Sequence, residues 1–340
     1  MAAALITWNE IDAARRRIAN VAVRTPLVRV DPERLRAAGF GRLAENSPEI
    51  YLKDESAQPV GSFKLRGAYN KIAQLSPEEL RRGVITYSSG NHAQGVAYAA
   101  RALGARAVVV MPSNAPRVKR EATLALGAEV VTVGPASSQR RQRAEELSAE
   151  HGYTMVPPYD DPAIVAGQAT CGVEILEQLP DLDLVLSPVS GGGLLSGVAA
   201  GVKLRAQADG VVPPQVWGCE PALAADAAES FRTRSLVEWP AEKTSQTICD
   251  GLRTQSLGKL NFELILRFVD GVITLREEEI QAAMRIILQT TRLVAEPSGA
   301  ITLAAALFHA QELPTARKIV AILSGGNLDP AAEPSQKKEA

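Results

Sequence analysis

Five short stretches of this 340-residue chain carry side chains able to do chemistry. Lys64, in Pro59-Val-Gly-Ser-Phe-Lys-Leu-Arg-Gly67, has an amine that can form an imine with a carbonyl group. The polar lead-in Lys53-Asp54-Glu55-Ser56 precedes it, and Phe63 offers an aromatic wall. Ser88-Ser89-Gly90-Asn91-His92-Ala93-Gln94-Gly95 joins glycines, which allow close backbone approach, to a helix start whose free N–H groups suit a carboxylate. Asn91 serves equally as a plain N-cap, and His92 lacks partner spacing for a metal. Pro188-Val-Ser190-Gly191-Gly192-Gly193-Leu194 reads as a phosphate nest or as a flexible turn. It has neither the Lys-Ser/Thr ending of a nucleotide-kinase loop nor dinucleotide glycine spacing. In Ile322-Leu-Ser-Gly-Gly-Asn327, Ser324 can donate to or accept from a pyridine nitrogen. Glu220 and Asp226, with a backbone carbonyl between them, can hold Mg²⁺ or Ca²⁺, or are simply surface carboxylates.

These stretches need a scaffold, and the apolar pattern supplies one. Val84–Tyr87, Ala107–Met111, Val130–Val133 and Tyr153–Val156 read as strands. Helical patterns lie between them at His92–Leu103, Pro116–Leu126 and Ser138–Ala149. The alternation resumes after Pro157-Pro158. Helices are expected at Ala163–Leu179, Leu194–Ala206, Glu277–Leu293 and Ile301–Ala310, and strands at Leu182–Leu186, Gln215–Gly218 and Ile319–Leu323. This is α/β alternation, so parallel sheets flanked by helices are expected, with ligands at the carboxyl ends of strands. Residues 83–157 read as a small substrate-side domain inserted into a large cofactor-binding domain, 1–82 and 158–330, with a polar tail at 331–340.

The 37 basic and 38 acidic residues give no reason to expect nucleic acid or a membrane surface as partner. Cys171, Cys219 and Cys249 are scattered and suggest free thiols in a reducing compartment. The first residues read as an ordinary helix from about Trp8 rather than a signal peptide, and a cytoplasmic location is expected.

Together, SFKLRGA, SSGNHAQG, SGGGL and SGGN, in that order, resemble the fold type II pyridoxal-phosphate enzymes, in the serine/threonine dehydratase and serine racemase branch. The resemblance runs over about residues 10 to 330 and implies a two-lobed, tryptophan-synthase-β-like fold. It implies that Lys64 is the Schiff-base lysine and that Phe63, Asn91, Ser190, Gly191, Gly192, Gly193, Leu194, Glu296 and Ser324 surround the cofactor. It assigns Ser88, Ser89, Asn91 and His92 to the substrate carboxylate. It makes Ser89 the acid/base on the face opposite Lys64, and Arg140 a substrate-closing arginine. Glu220, Ala224 and Asp226 match a divalent-cation site. Ser190 replaces the first of four glycines found in many members, and its hydroxyl is expected to add a phosphate contact. Arg253-Thr-Gln-Ser256 matches neither the dehydratase nor the racemase pattern at a loop beside the substrate side chain, so Ser256 joins the substrate contacts and 3-hydroxyaspartate joins the candidates. The implied reaction is ammonia elimination from a β-hydroxy amino acid, by default L-threonine or L-serine, in a homodimer. An amino acid racemase and a non-catalytic pyridoxal-binding regulator are the alternatives.

Overall fold

The computed structural model describes residues 5–40, 48–88, 90–134 and 137–328; Ser89 and the expected tail at 331–340 lie outside the described residues. Ten strands form two sheets: β1 (Leu27–Arg29), β2 (Glu49–Asp54), β3 (Val84–Tyr87), β4 (Ala107–Pro112), β5 (Glu129–Val133), β6 (Thr154–Met155), β7 (Leu184–Pro188), β8 (Gln215–Pro221), β9 (Gly271–Leu275) and β10 (Lys318–Leu323). The larger sheet has the order β1-β2-β10-β7-β8-β9, and the smaller β5-β4-β3-β6. Every pairing is parallel except β1 with β2.

Parallel strands covered on both faces read as unbroken apolar runs. Leu184, Val185 and Leu186 of β7 are accordingly buried, as are Val108, Val109 and Val110 of β4. The smaller sheet draws all its strands from residues 84–155. The two sheets are linked through the helices Lys64–Ile72 and Asn91–Ala102, which pack together so closely that a Cβ on Gly95 would sit 3.1 Å from the carbonyl carbon of Lys64.

Some boundaries differ from the sequence expectation. The strand expected over 182–186 runs Leu184–Pro188. The last large helix starts at Pro297, not 301, because a proline in the first turn has no N–H to leave unpaired. The important placement is common to all five motifs: each follows the carboxyl end of a parallel strand, β2, β3, β7, β8 or β10.

Candidate active site

Lys64 opens the Lys64–Ile72 helix. The preceding loop is stitched to the one after β10: Phe63 N–H donates to the Ser324 carbonyl at 3.1 Å, and Asn327 Nδ2 to the Val60 carbonyl at 2.8 Å. Lys64 Nζ donates to the Pro158 carbonyl at 2.8 Å and lies 5.0 Å from the Phe63 ring centre. Burial, with no carboxylate to offset it, brings its pKa down to about 8. The chain therefore holds an amine that is readily uncharged near neutral pH.

Two helix starts have no side-chain cap and so leave N–H groups free for an anion. The Asn91–Ala102 helix has Gly90 at its N-cap, so the cap reading of Asn91 fails. Asn91 occupies the first helical position, where Nδ2 donates to Glu296 Oε1 and Oδ1 accepts from Asn327 Nδ2 at 2.9 Å. Ser88 Oγ accepts the Gly90 N–H at 3.2 Å. The His92 ring is buried against the Val156 carbonyl at 3.0 Å, and burial, with Lys64 nearby, lowers its pKa to about 3. That ring is neutral and internally committed; what His92 offers a ligand is its first-turn N–H.

The second start is Ser190–Leu194, ahead of the Gly193–Asp209 helix. Gly192 is left-handed, with φ +94°, and the helix has no side-chain cap. A Cβ on Gly191 would lie 2.4 Å from the Tyr159 ring, and one on Gly193 2.9 Å from Tyr159 Cβ. The loop is thus a cradle fixed against Tyr159, and its free N–H groups suit a phosphate. Ser190 Oγ pairs with Thr254 Oγ1 at 2.7 Å and accepts the Thr254 N–H at 3.2 Å. Leu194 is buried beneath the cradle.

Ser324 and Glu296 border the Lys64 loop and Asn91 respectively. Ser324 Oγ makes only a long 3.3 Å bond to the Ser298 carbonyl, and the buried Ser62 Oγ nearby has no partner. Such an orphaned hydroxyl fits a site that a polar cofactor completes. Burial raises the Glu296 carboxyl to about 7, with the Lys119 ammonium opposing from 3.5 Å. Lys119 also pairs with Asp250, and its stem lies 3.2 Å from where a Gly90 Cβ would stand.

The remaining predicted residues sit at the margins. Arg140 is half-buried with its Nε unpartnered, and burial lowers its pKa, with Tyr87 opposing. Ser256 Oγ donates to its neighbour Leu257's carbonyl at 3.2 Å. Arg253, which looked available for an anionic substrate, spends its guanidinium on the Thr247 carbonyl at 2.6 and 3.0 Å.

Glu220 and Asp226 are both buried, so the surface-carboxylate reading fails. Glu220 accepts the Ala227 and Ala228 N–H groups at 3.0 and 2.8 Å, while Asp226 Oδ2 has no partner. Burial and the neighbouring Asp226 push Glu220 far above the usual carboxylate range; burial raises Asp226 to about 7. Two buried carboxylates with one free oxygen fit a hard cation that takes further ligands from carbonyls and water. No group of three or more His, Cys, Asp or Glu suited to a metal occurs among the described residues.

Sequence reading missed Lys119 and Tyr159; it also missed the partners of Asp250, Thr254 and Arg66. Arg66 donates to Glu55 at 2.7 and 2.8 Å and to Glu174 at 2.7 and 2.8 Å. Lys53 Nζ bonds Glu174 at 2.8 Å, closing the network beneath Lys64.

Comparison with known proteins bears on this geometry directly. The family model described as pyridoxal-phosphate dependent enzyme matches residues 19–325. The L-threo-3-hydroxyaspartate ammonia-lyase of Saccharomyces cerevisiae is 39% identical over 281 residues, covering 83% of each chain. The serine racemase of Schizosaccharomyces pombe is 36% identical, over 96% of this chain and 95% of its own. The crystal structure of a T.th. threonine deaminase superposes with a TM-score of 0.84 at 40% identity, over 95% of this chain and 99% of that one. A buried lysine with a lowered pKa, near two uncapped helix starts, suits an imine-forming phosphate cofactor, and this chain belongs to the pyridoxal-phosphate dependent enzymes.

Proposed function

We propose that the protein is an ammonia-lyase that converts a β-hydroxy amino acid to a 2-oxo acid and ammonia. The observation that carries this reading is Lys64: a buried amine, pKa about 8, with no carboxylate partner among the described residues. Bound here, pyridoxal phosphate would supply the electron sink that lets the α-proton leave. The residues that would hold it are Lys64, Phe63, Asn91, the N–H groups of Ser190–Leu194, and Ser324.

The chain's own residues do the rest. Lys64 Nζ takes the proton from Cα. The first-turn N–H groups at Asn91 and His92, with Ser88, bind and orient the carboxylate. Ser324 would offer a hydroxyl rather than a carboxylate to the cofactor's pyridine nitrogen, which would favour elimination over transamination. The substrate loses its Cα proton and β-hydroxyl as water; hydrolysis of the resulting imino acid restores that water and gives the oxo acid and ammonium. Arg140 supports a place for 3-hydroxyaspartate beside serine and threonine, because its Nε is buried without a partner and a second carboxylate would satisfy it.

We include in this reading a divalent cation on Glu220, Asp226 and the Ala224 carbonyl, a homodimer, and a small lobe over 83–157 that carries the substrate side. The three buried free cysteines fit a reducing compartment such as the cytoplasm. No described helix is long and apolar enough to cross a membrane.

The test is oxo-acid release from L-serine, L-threonine and L-threo-3-hydroxyaspartate, with chiral analysis of the remaining amino acid. Oxo acid in step with ammonia is expected; inverted amino acid without oxo acid would give the reaction to the racemase reading. Arg140→Met should lower kcat/KM for 3-hydroxyaspartate more than for threonine.

A further inference from the structure

We propose that the Ser190 hydroxyl is a specificity-positioning group rather than a phosphate ligand: it clasps the cofactor cradle to the 250–258 loop and so fixes the wall facing the substrate side chain. This rests on the ammonia-lyase reading of the site.

The loop is tied at both ends to the site. At one end Asp250 pairs with Lys119, and Gly251 N–H donates to Ser298 Oγ at 3.1 Å, beside Glu296 and Ser324. At the other, Gly258 N–H donates to the Gly191 carbonyl at 3.0 Å. Between them two backbone carbonyls of the loop are held by residues outside the cradle. Arg253 O accepts from Thr244 Oγ1 at 3.2 Å, and Gln255 O accepts the Trp239 N–H at 2.8 Å. Thr254 is held by the cradle itself: its N–H and hydroxyl both meet Ser190 Oγ, at 3.2 and 2.7 Å.

A hydroxyl has one proton and two lone pairs. Accepting from Thr254 N–H and sharing a hydrogen bond with Thr254 Oγ1 uses most of that capacity, and Ser190 is 9% exposed. A glycine here would leave Thr254 without either bond. The serine thus couples the position of Thr254 to the cradle, and the substrate side chain would meet a wall held in register with the cofactor.

The test compares Ser190→Ala, Thr254→Val, their combination and Thr254→Ser. Cofactor affinity, the kcat/KM ratio between threonine and 3-hydroxyaspartate, and the melting temperature of the cofactor-free protein are measured for each. Ser190→Ala and Thr254→Val should each shift the substrate ratio about fivefold in the same direction, with the double variant no worse than either. Their melting-temperature losses should likewise fail to add, Thr254→Ser should restore the wild-type ratio, and cofactor affinity should stay within about twofold throughout. Additive melting losses would overturn the clasp whatever the cofactor does. So would a loss of cofactor affinity in Ser190→Ala that Thr254→Val does not share, or an unchanged substrate ratio. A wild-type protein that binds cofactor but releases no oxo acid overturns the ammonia-lyase reading and the substrate role built on it, while the melting data still report on the clasp.

Discussion

Two pairs of carboxylates, buried or nearly so, have opposite surroundings in this molecule. Beneath Lys64, Glu55 and Glu174 share Arg66, and Glu174 also takes Lys53, so two anions meet two cations and the network is closed. Arg66 and Lys53 together lower the Glu55 carboxyl despite complete burial. At the end of β8, Glu220 and Asp226 meet no cationic side chain among the described residues, and both are pushed up. The first arrangement is a frame: it fixes the start of the Lys64–Ile72 helix and adds no net charge beside the amine. The second binds protons or a cation, because nothing in the described chain offsets its charge. Burial alone does not distinguish scaffold from site; whether the charges are closed on themselves does.

The largest way to break this contrast is Arg66→Met. It removes the cation paired with Glu55 and one of the two paired with Glu174, and should cost about 3–5 kcal/mol in urea unfolding. Lys64 reactivity should fall with it, since the helix that presents the amine loses its anchor. A loss below about 1 kcal/mol would mean the network is not the frame described here.

The next effect sharpens the other half. Mg²⁺ at about a hundred times its Kd should stabilise the protein by about 2.7 kcal/mol. The pH dependence has a definite sign. In cation-free protein the raised Asp226 pKa means the folded state holds a proton that the unfolded state releases, so stability falls as pH rises from the ordinary carboxylate range through about 7. A cation would bind the ionised pair, so its stabilisation should be larger at pH 8 than at pH 6 and absent in Asp226→Asn. Equal melting shifts at both pH values would remove Asp226 from the site.

A third experiment concerns the carboxylate that falls between the two cases. Glu296 has one cation, Lys119, at 3.5 Å, and still rises to about 7 because burial dominates. Lys119→Met removes the opposing charge, so Glu296 should titrate higher still. Lys119 also packs against Gly90. We expect kcat/KM to drop about tenfold, or 1.4 kcal/mol, with any limb of the pH profile that reports Glu296 moving upward; Lys119→Arg should recover most of both. A uniform loss with an unmoved profile would make Lys119 a packing residue only. The smallest effect is Asp226→Asn without cation, which removes a costly ionisation and should stabilise by about 1 kcal/mol at pH 8.

The sequence was legible where chemistry is local. A lysine in a glycine-flanked loop, or glycines between an apolar run and a helix, can be read from neighbours alone, and parallel-sheet logic places such loops at strand ends. Arg66 was legible as part of SFKLRGA, but its partner Glu174 is 108 residues away. Lys119 and Asp250 are separated by 131, and Ser190 and Thr254 by 64. No local pattern announces such pairs. β2 was missed for a related reason: Glu49, Lys53 and Asp54 look like a solvated segment, yet Lys53 is fully buried because Thr25, Glu174 and Gln178 satisfy its ammonium. The Ser190–Thr254 pair is equally invisible to local reading, because Thr254 lies on another loop.

The central claim is that Lys64 is the amine that carries the cofactor. Holoprotein reduced with borohydride, digested and analysed by mass spectrometry should show the pyridoxyl adduct on the peptide containing Lys64, with no adduct at that peptide in Lys64→Ala. An adduct on a different lysine in the wild-type protein, or none at all, would contradict the account.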